Sequence, residues 1–194
     1  MQAIFSIVVA TAVALGTLSQ ATAAPAADAP ATMRLDYFHT GGLGTEIFSV
    51  DRVVIEPLPW PGHPQKHIDP TGSGTYKFEV RTPDGELLYS RGFGSIYGEW
   101  VLTEEAAQSH QTFSESVRFP APAGPVDVVI YDRDPAADNA FREAWRTRID
   151  PTDMFVDRAR PPAQTLVTVE QNGEPRDKVD LLLLGDGYTA DECT

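Results

Sequence analysis

The sequence predicts an all-β protein, an antiparallel β-sandwich, and three observations support this class. Short segments alternate apolar and polar residues, glycine and proline separate them, and helical periodicity is scarce. The 16 prolines and 15 glycines suit strands and turns better than a helical bundle. A chain of 194 residues can hold one ordinary domain and a remainder.

The first element is an uncharged N-terminus. Residues 1–27 contain no charged side chain, and residues 3–18 are an almost unbroken run of apolar or small residues. The run is too short to span a bilayer comfortably, and Ala21-Thr22-Ala23 after it matches an A-x-A cleavage signal. We predict a signal peptide at residues 1–23 and therefore a secreted or periplasmic protein. A buried helix is the alternative.

The part that follows carries all of the charge. Residues 24–32 are rich in proline and alanine and predict a linker, and residues 33–157 predict the sandwich. The formal net charge of −13 excludes nucleic acid and, after signal cleavage, an anionic membrane as partners. A single cysteine excludes an internal disulfide and a cysteine-based zinc site.

Within the sandwich, residues 46–55 predict one or two strands, which Pro57 and Pro59 should stop. Residues 75–81 alternate most regularly, and the chain turns at Thr82-Pro83-Asp84-Gly85 and returns through residues 86–91. Proline early and glycine late in a four-residue turn supply the backbone angles that a turn needs. These residues therefore predict a β-hairpin.

The second half of the sandwich is predicted from similar patterns. Residues 113–119 and 126–131 flank the proline-rich residues 120–125, which predicts a second hairpin. Residues 141–149 fit both a helical and an alternating pattern, but the β-branched residues near their end and the Asp150-Pro151 stop favour a strand. Residues 164–171 predict another strand.

The last part of the chain differs from the sandwich. Residues 158–165 contain Pro161-Pro162 and predict a stiff connector. Residues 179–184 include four consecutive leucines, which require cover on both faces of a sheet. A glycine-rich turn at residues 185–188 and the T-x-x-E capping box at residues 189–192 follow. We predict that residues 166–194 are the truncated strand–turn–helix start of an α/β domain; a C-terminal strand paired with the sandwich is the alternative.

The histidines give no catalytic or metal-binding pattern. The four are His39, His63, His67 and His110. His63 and His67 have the spacing of two ligands on one helix face, but the prolines beside His63 prevent a helix and no glutamate completes H-E-x-x-H. We interpret them as solvated loop residues rather than metal ligands.

Other candidate side chains also have simpler explanations. Asp132, Asp134 and Asp138 resemble a calcium loop, but the required glycine is missing, so a solvated acidic loop is favoured. Cys193 lies at the predicted helix start without a nearby histidine. No G-x-S-x-G motif occurs, and residues 41–44 read as an ordinary glycine turn. The sequence therefore predicts no catalytic, metal-binding or cofactor-binding residue.

Aromatic residues could form a binding face, because tryptophan and tyrosine often anchor interfaces. Packing in the core or between domains is the favoured interpretation. The residues concerned are Trp60, Tyr97, Trp100 and Trp145.

Several uncommon strings occur in an order that resembles the IgA-peptidase family of secreted zinc metallopeptidases, metallopeptidase family sixty-four. The strings are MRLDYFHTGGLG at residues 33–44, DRVVIEPLPWPG at 51–62, LYSRGFGSIYGEW at 88–100, FSESVRF at 113–119 and VDLLLLGDGYT at 179–189. The resemblance implies that residues 33–157 are the family's N-terminal β-sandwich and that its catalytic domain begins near residue 166.

The resemblance also implies what this chain lacks. In the family, zinc is held by a helix of H-E-x-x-H type far downstream, whose glutamate activates the metal-bound water. No such helix is encoded here. We therefore expect an N-terminal accessory domain of a metallopeptidase precursor without peptidase activity or a cofactor of its own. Its expected partners are the missing catalytic domain and a protein substrate. A free-standing exported binding or adhesion module is the alternative.

Overall fold

The computed structural model describes residues 30–162, 167–173, 178–179 and 181–184. The predicted signal peptide, the capping box and Cys193 lie outside these residues. None of the helices in the described ranges is long and apolar enough to cross a membrane. The described elements are β1 (Ala31–Gly42), β2 (Thr45–Pro59), β3 (Tyr76–Arg81), β4 (Leu87–Phe93), α1 (Ile96–Trp100), β5 (Gln111–Pro120), β6 (Val126–Asp134) and β7 (Ala140–Ile149).

The strands form two antiparallel sheets, which confirms the predicted all-β sandwich. One sheet has three strands in the order β2-β1-β5, and the other has four in the order β4-β3-β6-β7. Side chains from the inner faces of both sheets form one apolar cluster. Its members are Met33, Leu35, Tyr37, Tyr76, Phe78, Val80, Tyr89, Val117, Phe119, Val126, Val128, Ile130 and Ile149.

Strand β1 is the centre of the three-stranded sheet because it can pair on both sides. It pairs with β2 from Ala31↔Pro59 to Gly42↔Thr45, with shifts in register, and with β5 from Thr32↔Pro120 to Gly41↔Gln111. Alternate residues Met33, Leu35 and Tyr37 are buried, as a strand with one face on the core requires. The strand begins at Ala31, inside the residues predicted as linker.

The hairpin predicted between β3 and β4 is confirmed. Gly85 has a φ of +90°, where glycine is favoured, and its amide donates to the Thr82 carbonyl oxygen over 2.9 Å. The Thr82 amide donates to the Glu86 carbonyl oxygen, also over 2.9 Å. The turn therefore closes as its sequence predicts.

Two predictions about proline are wrong. Pro57 does not stop β2, which continues past it and ends at Pro59, the second proline predicted to stop it. The strand lies at the edge of its sheet, where the lack of a proline N–H is tolerated. The segment 120–125 is also not a hairpin turn, because β5 pairs with β1 whereas β6 pairs with β3 and β7. It is a crossover between the two sheets, which a sandwich needs to alternate its layers.

The ambiguous segment after β6 is a strand, as predicted. β7 spans Ala140–Ile149 and pairs with β6 throughout its length. Asp138 and Asn139, in the connection before it, have φ values of 53° and 56°. Asparagine and aspartate tolerate this left-handed conformation better than most residues, which explains their place in the turn.

After β7 the chain returns to the first sheet. Asp157 forms a parallel bridge with Val54, and its amide donates to the Val53 carbonyl oxygen over 2.8 Å. The predicted strands at 164–171 and 179–184 are not formed by their described residues. Leu181–Leu184 are 69–86% exposed, so the two-sided cover that such a strand requires is not provided by the sandwich. That residues 166–194 are the start of an α/β domain stays a prediction.

Candidate functional site

A charged cluster lies inside one end of the sandwich, and we call it the His39 cluster. Its charged members are His39 on β1, Glu46 on β2 and Glu115 on β5. The side chains that contact them are Tyr37, Tyr76, Ser95 and Tyr97. His39 is 0% exposed and continues the inward row of Met33, Leu35 and Tyr37. The alternation of β1 therefore places a titratable ring where an apolar side chain would be usual.

The His39 ring is held on both faces by aromatic rings. Phe48 stacks on it with ring centroids 4.1 Å apart, and Tyr97 stacks with centroids 3.9 Å apart. Both planes are tilted by 27° from that of the imidazole. Since β2 supplies Phe48 and α1 supplies Tyr97, the ring joins these two elements to β1.

Both nitrogens of His39 contact carboxylates. Nε2 lies 2.9 Å from Glu46 Oε1, and Nδ1 lies 3.2 Å from Glu115 Oε2. An ionised carboxylate only accepts hydrogen bonds, and a neutral imidazole has only one N–H to donate. Two ionised partners on opposite sides of the ring are therefore satisfied only by an imidazolium, in which both nitrogens donate.

The two ionisable partners stabilise each other's charge. Burial opposes a charge on His39, but hydrogen bonds and charge attraction from Glu115 and Glu46 outweigh it and raise its pKa. Burial also opposes a charge on Glu115, but His39, Ser95 and the Tyr97 amide lower its pKa to about 2. The geometry and the directions of the two pKa shifts agree on a buried ion pair.

Two tyrosine hydroxyls donate further hydrogen bonds to the carboxylates of Glu115 and Glu46. Tyr37 Oη donates to Glu115 Oε2 over 3.0 Å, and Tyr76 Oη donates to Glu46 Oε1 over 2.8 Å. Burial first, and then the neighbouring carboxylate, raise the pKa of each tyrosine. Both hydroxyls therefore stay neutral donors at ordinary pH.

Helix α1 is tied to the cluster by its N-cap. Ser95 Oγ accepts from the Gly98 amide over 3.1 Å, which caps the helix, and donates to Glu115 Oε1 over 2.7 Å. The Tyr97 amide donates to the same Glu115 oxygen over 3.2 Å. Tyr97 Oη reaches across to the Thr45 carbonyl oxygen at 2.6 Å. One glutamate thus positions α1, and α1 holds the start of β2.

The chemistry of the His39 cluster is that of a structural ion pair. Glu46 and Glu115 lie against opposite nitrogens of the ring, so a single metal ion cannot bind all three side chains. Among the described residues, no group of three or more His, Cys, Asp or Glu side chains is arranged to hold a metal ion. Ser95 is 3% exposed and its proton is directed at Glu115, so it is not arranged as a nucleophile.

The other histidines lie away from this cluster, in loops. His63 is exposed, and its Nδ1 accepts from the Gln65 and Lys66 amides over 3.1 and 3.2 Å. His67 is half-buried in the same loop, which contains no helix, and His110 is exposed. The helix required for paired ligands at His63 and His67 is not formed, as the prolines predict.

The three aspartates that resemble a calcium loop serve different purposes. Asp132 Oδ2 lies 2.8 Å from an Arg142 guanidinium nitrogen. Asp134 accepts from the Ala136 amide over 2.9 Å, and Asp138 adopts the left-handed turn conformation. These carboxylates are thus used for an ion pair, a cap and a turn.

The aromatic residues are used for packing, as predicted. Tyr97 is 2% exposed, and Trp60 and Trp145 are packed against the apolar core. Trp100 contacts Phe113 with ring centroids 5.5 Å apart. Gly44, in the glycine segment singled out from the sequence, has a φ of +78° in the β1–β2 turn.

A cleft lies where the chain leaves the sandwich, and we call it the exit cleft. Its volume is about 410 Å³. Arg34 on its wall donates to Asp36 over 2.7 Å and to Glu56 over 2.9 Å, so the guanidinium charge of Arg34 is paired. Its lining residues are Arg34, Val54, Glu56, Pro57, Leu58, Asp157, Ala159, Arg160 and Pro161.

The fold and the His39 cluster together define a class of protein: a β-sandwich domain whose buried charges support its own structure. The family model described as Peptidase M64 N-terminus matches residues 26–146, from before β1 into β7. The chain therefore belongs to the Peptidase M64 N-terminus family. No curated protein matches the chain.

Proposed function

We propose that this chain is the N-terminal accessory domain of a secreted zinc metallopeptidase that resembles the IgA-peptidase family. One observation carries the proposal: the family match, over residues 26–146, is to the N-terminus of a peptidase. In this function the sandwich contributes structure, and a separate catalytic domain of the same polypeptide hydrolyses peptide bonds.

The way in which the chain leaves the sandwich supports a platform role. Asp157 is hydrogen-bonded to the edge of β2, and Pro161-Pro162 follows within a few residues. Two consecutive prolines form a stiff, extended connector. A domain attached there would be held close to the exit cleft, where exposed Leu58 offers an apolar contact. Protein substrate would then meet the catalytic domain beside a rigid wall.

The zinc in this proposal belongs to the catalytic domain. Among the described histidines, His39 is buried in an ion pair and the others lie in loops. The described residues contain no group of metal-ligating side chains that includes them. When bound in an H-E-x-x-H helix, zinc would polarise the peptide carbonyl and lower the pKa of its water. The residues of this chain would orient that domain and take no part in its chemistry.

The proposal is tested by comparing two purified polypeptides. One is the mature chain, residues 24–194, and the other extends through the coding sequence downstream of Thr194. We expect stoichiometric zinc and chelator-sensitive cleavage of a peptide library only in the longer polypeptide, which should contain H-E-x-x-H. Zinc and cleavage in the mature chain, or downstream sequence without that motif, would contradict the proposal.

Limited proteolysis separates this function from a free-standing binding module. In an accessory domain the residues after the connector have their packing partner elsewhere, so cleavage near residues 158–164 should be rapid and leave a stable sandwich. A C-terminal part that resists protease as long as the sandwich does would favour the module. Cleavage at the exposed 83–85 turn serves as the internal reference for accessibility.

A further inference from the structure

We propose that His39 is a proton-operated latch: as an imidazolium it ties Glu46 to the end of the sandwich, and loss of its proton frees the tip of the β1–β2 hairpin. The tip is the segment from Gly42 to Glu46, which contains the turn at Gly44. The inference does not depend on the proposed peptidase, because every group involved lies within the sandwich.

The groups that face the ring come from every element packed around it. Tyr37 lies on β1, Glu46 on β2, Tyr76 on β3, Glu115 on β5, and Tyr97 with its N-cap Ser95 on α1. A further ion pair joins Asp132 of β6 to Arg142 of β7. Arg142 also feels the charge of Glu46, but its short contacts are with Asp132. The imidazolium is therefore the cation that directly bonds both glutamates.

Loss of the proton forces a choice between the two glutamates. A neutral imidazole donates from one nitrogen and presents a lone pair at the other. Glu115 is only 8% exposed, whereas Glu46 is 24% exposed and can be hydrated. Glu115 keeps its bonds from Tyr37, Ser95 and the Tyr97 amide in either case, but water cannot replace a lost charged donor at a buried carboxylate as it can at one that reaches solvent. The remaining N–H therefore stays on Glu115, and the bond between Nε2 and Glu46 is the one that breaks.

The hairpin tip has few other hydrogen bonds to the cluster. Tyr76 donates to Glu46, and Tyr97 Oη lies within hydrogen-bond distance of the Thr45 and Gly42 carbonyl oxygens. The ring of the loop residue His110 also lies against Gly42. The Leu43 amide donates to the Ala106 carbonyl oxygen over 2.8 Å, although the Leu43 side chain is 69% exposed. A lone pair directed at the Glu46 carboxylate repels it, so the tip opens locally while the apolar core stays closed.

The sign of the pH dependence follows from the direction of the His39 shift. The pKa of His39 is raised above its ordinary 6.5 by the two glutamates, against the effect of burial. The latch is therefore fully closed below pH 6.5, and it opens as the pH rises through the higher value of the folded protein. Acidification closes it and alkalinisation opens it.

The first test is a pH titration of the ¹⁵N-histidine-labelled mature chain by NMR. We expect the His39 ring to keep both nitrogens protonated at pH 6.5, the ordinary pKa of a histidine side chain, and to lose a proton only at higher pH. A His39 ring that is neutral at pH 6.5 would overturn the proposal. This measurement uses the unaltered chain, so it does not depend on the folding of any variant.

The second test measures opening of the tip by amide hydrogen exchange, corrected for the intrinsic effect of pH. Exchange at residues 43–46 should become about tenfold faster for each pH unit above the His39 midpoint, relative to amides of β6. In Glu46→Gln the neutral amide oxygen can still accept from His39 without requiring a charge, so this pH dependence should largely disappear.

Glu56→Gln is the matched control, because Glu56 lies on the same strand and bonds arginines instead of histidine. It should keep the full pH dependence of exchange at the tip. Equal pH dependence in Glu46→Gln and Glu56→Gln would overturn the latch, as would exchange at the tip that does not change across the His39 titration.

Discussion

The two halves of strands β1 and β5 both direct side chains into the interior of the sandwich but are stabilised by different forces. In one half, Met33 and Leu35 of β1 face Val117 and Phe119 of β5, and each is at most 4% exposed. In the other half the same inward rows continue with Tyr37 and His39 and with Glu115. The core therefore changes from apolar packing to paired charges within one pair of strands.

The difference shows that burial alone does not identify the stabilising interaction. The apolar half gains free energy from the area removed from water, which depends little on pH. The charged half must first overcome the cost of desolvation and gains only when every partner is present and correctly protonated. Substitutions in the two halves should therefore differ in their response to pH more than in their size.

The largest effect is expected in the apolar half. Phe119→Ala removes a ring that is 0% exposed and packed near Phe78, and it should lower the free energy of unfolding by about 3–5 kcal/mol. Urea denaturation at pH 5 and pH 8 should give the same loss. Phe155→Ala, at an 84% exposed side chain, is the control and should change little. A loss in Phe119→Ala that depends on pH would remove the distinction between the halves.

In the charged half, Glu115→Ala should cost about 3 kcal/mol, because the buried imidazolium loses the more buried of its two counter-ions. The substitution removes the acceptor of Tyr37, His39, Ser95 and the Tyr97 amide. The loss should be smaller above the raised pKa of His39, where the ring is neutral, than at pH 6, where it is charged. Glu143→Ala on the surface of β7 is the control, and a comparable loss there would contradict the role of burial.

The acid response of the charged half is set by Glu115. Its pKa is about 2 in the folded protein against an ordinary 4.5, so it contributes stability above pH 4.5 that is lost as the pH falls toward 2. The lost contribution is on the order of 3 kcal/mol. Urea denaturation at pH 5 and pH 2.5 should show a smaller acid loss in Glu115→Gln than in the unaltered chain. Identical acid losses would show that other carboxylates dominate.

Alternation made the apolar half predictable from the sequence. Residues 75–81, 113–119 and 126–131 follow the period of two, and each coincides with a strand of the structure, although β3 begins one residue later, at Tyr76. The pairing of these strands was less predictable, because a proline-rich segment such as 120–125 fits a hairpin and a crossover equally well. Which of the two forms depends on contacts far apart in the chain.

The charged half was missed, although the same alternation carried a signal for it. His39 follows Met33, Leu35 and Tyr37 at a spacing of two, and Glu115 precedes Val117 and Phe119 at the same spacing. Two opposite charges on inward positions of strands indicate a buried pair. Recognising that pair requires the β1–β5 register, which places Tyr37 opposite Glu115 and cannot be obtained from either segment alone.

The smallest effect should come from a charge pair at the surface. Arg146 lies 2.7 Å from Glu143, a distance as short as those in the His39 cluster, and 3.6 Å from Asp127, but its side chain is 43% exposed. Arg146→Ala should therefore cost less than about 0.5 kcal/mol, and 1 M salt should abolish even that. A double-mutant cycle with Glu143→Ala measures the pair directly. A coupling free energy as large as the loss in Glu115→Ala would mean that an ion pair stabilises the fold without burial. A negligible coupling free energy would mean that burial distinguishes the His39 cluster from an exposed pair of similar geometry.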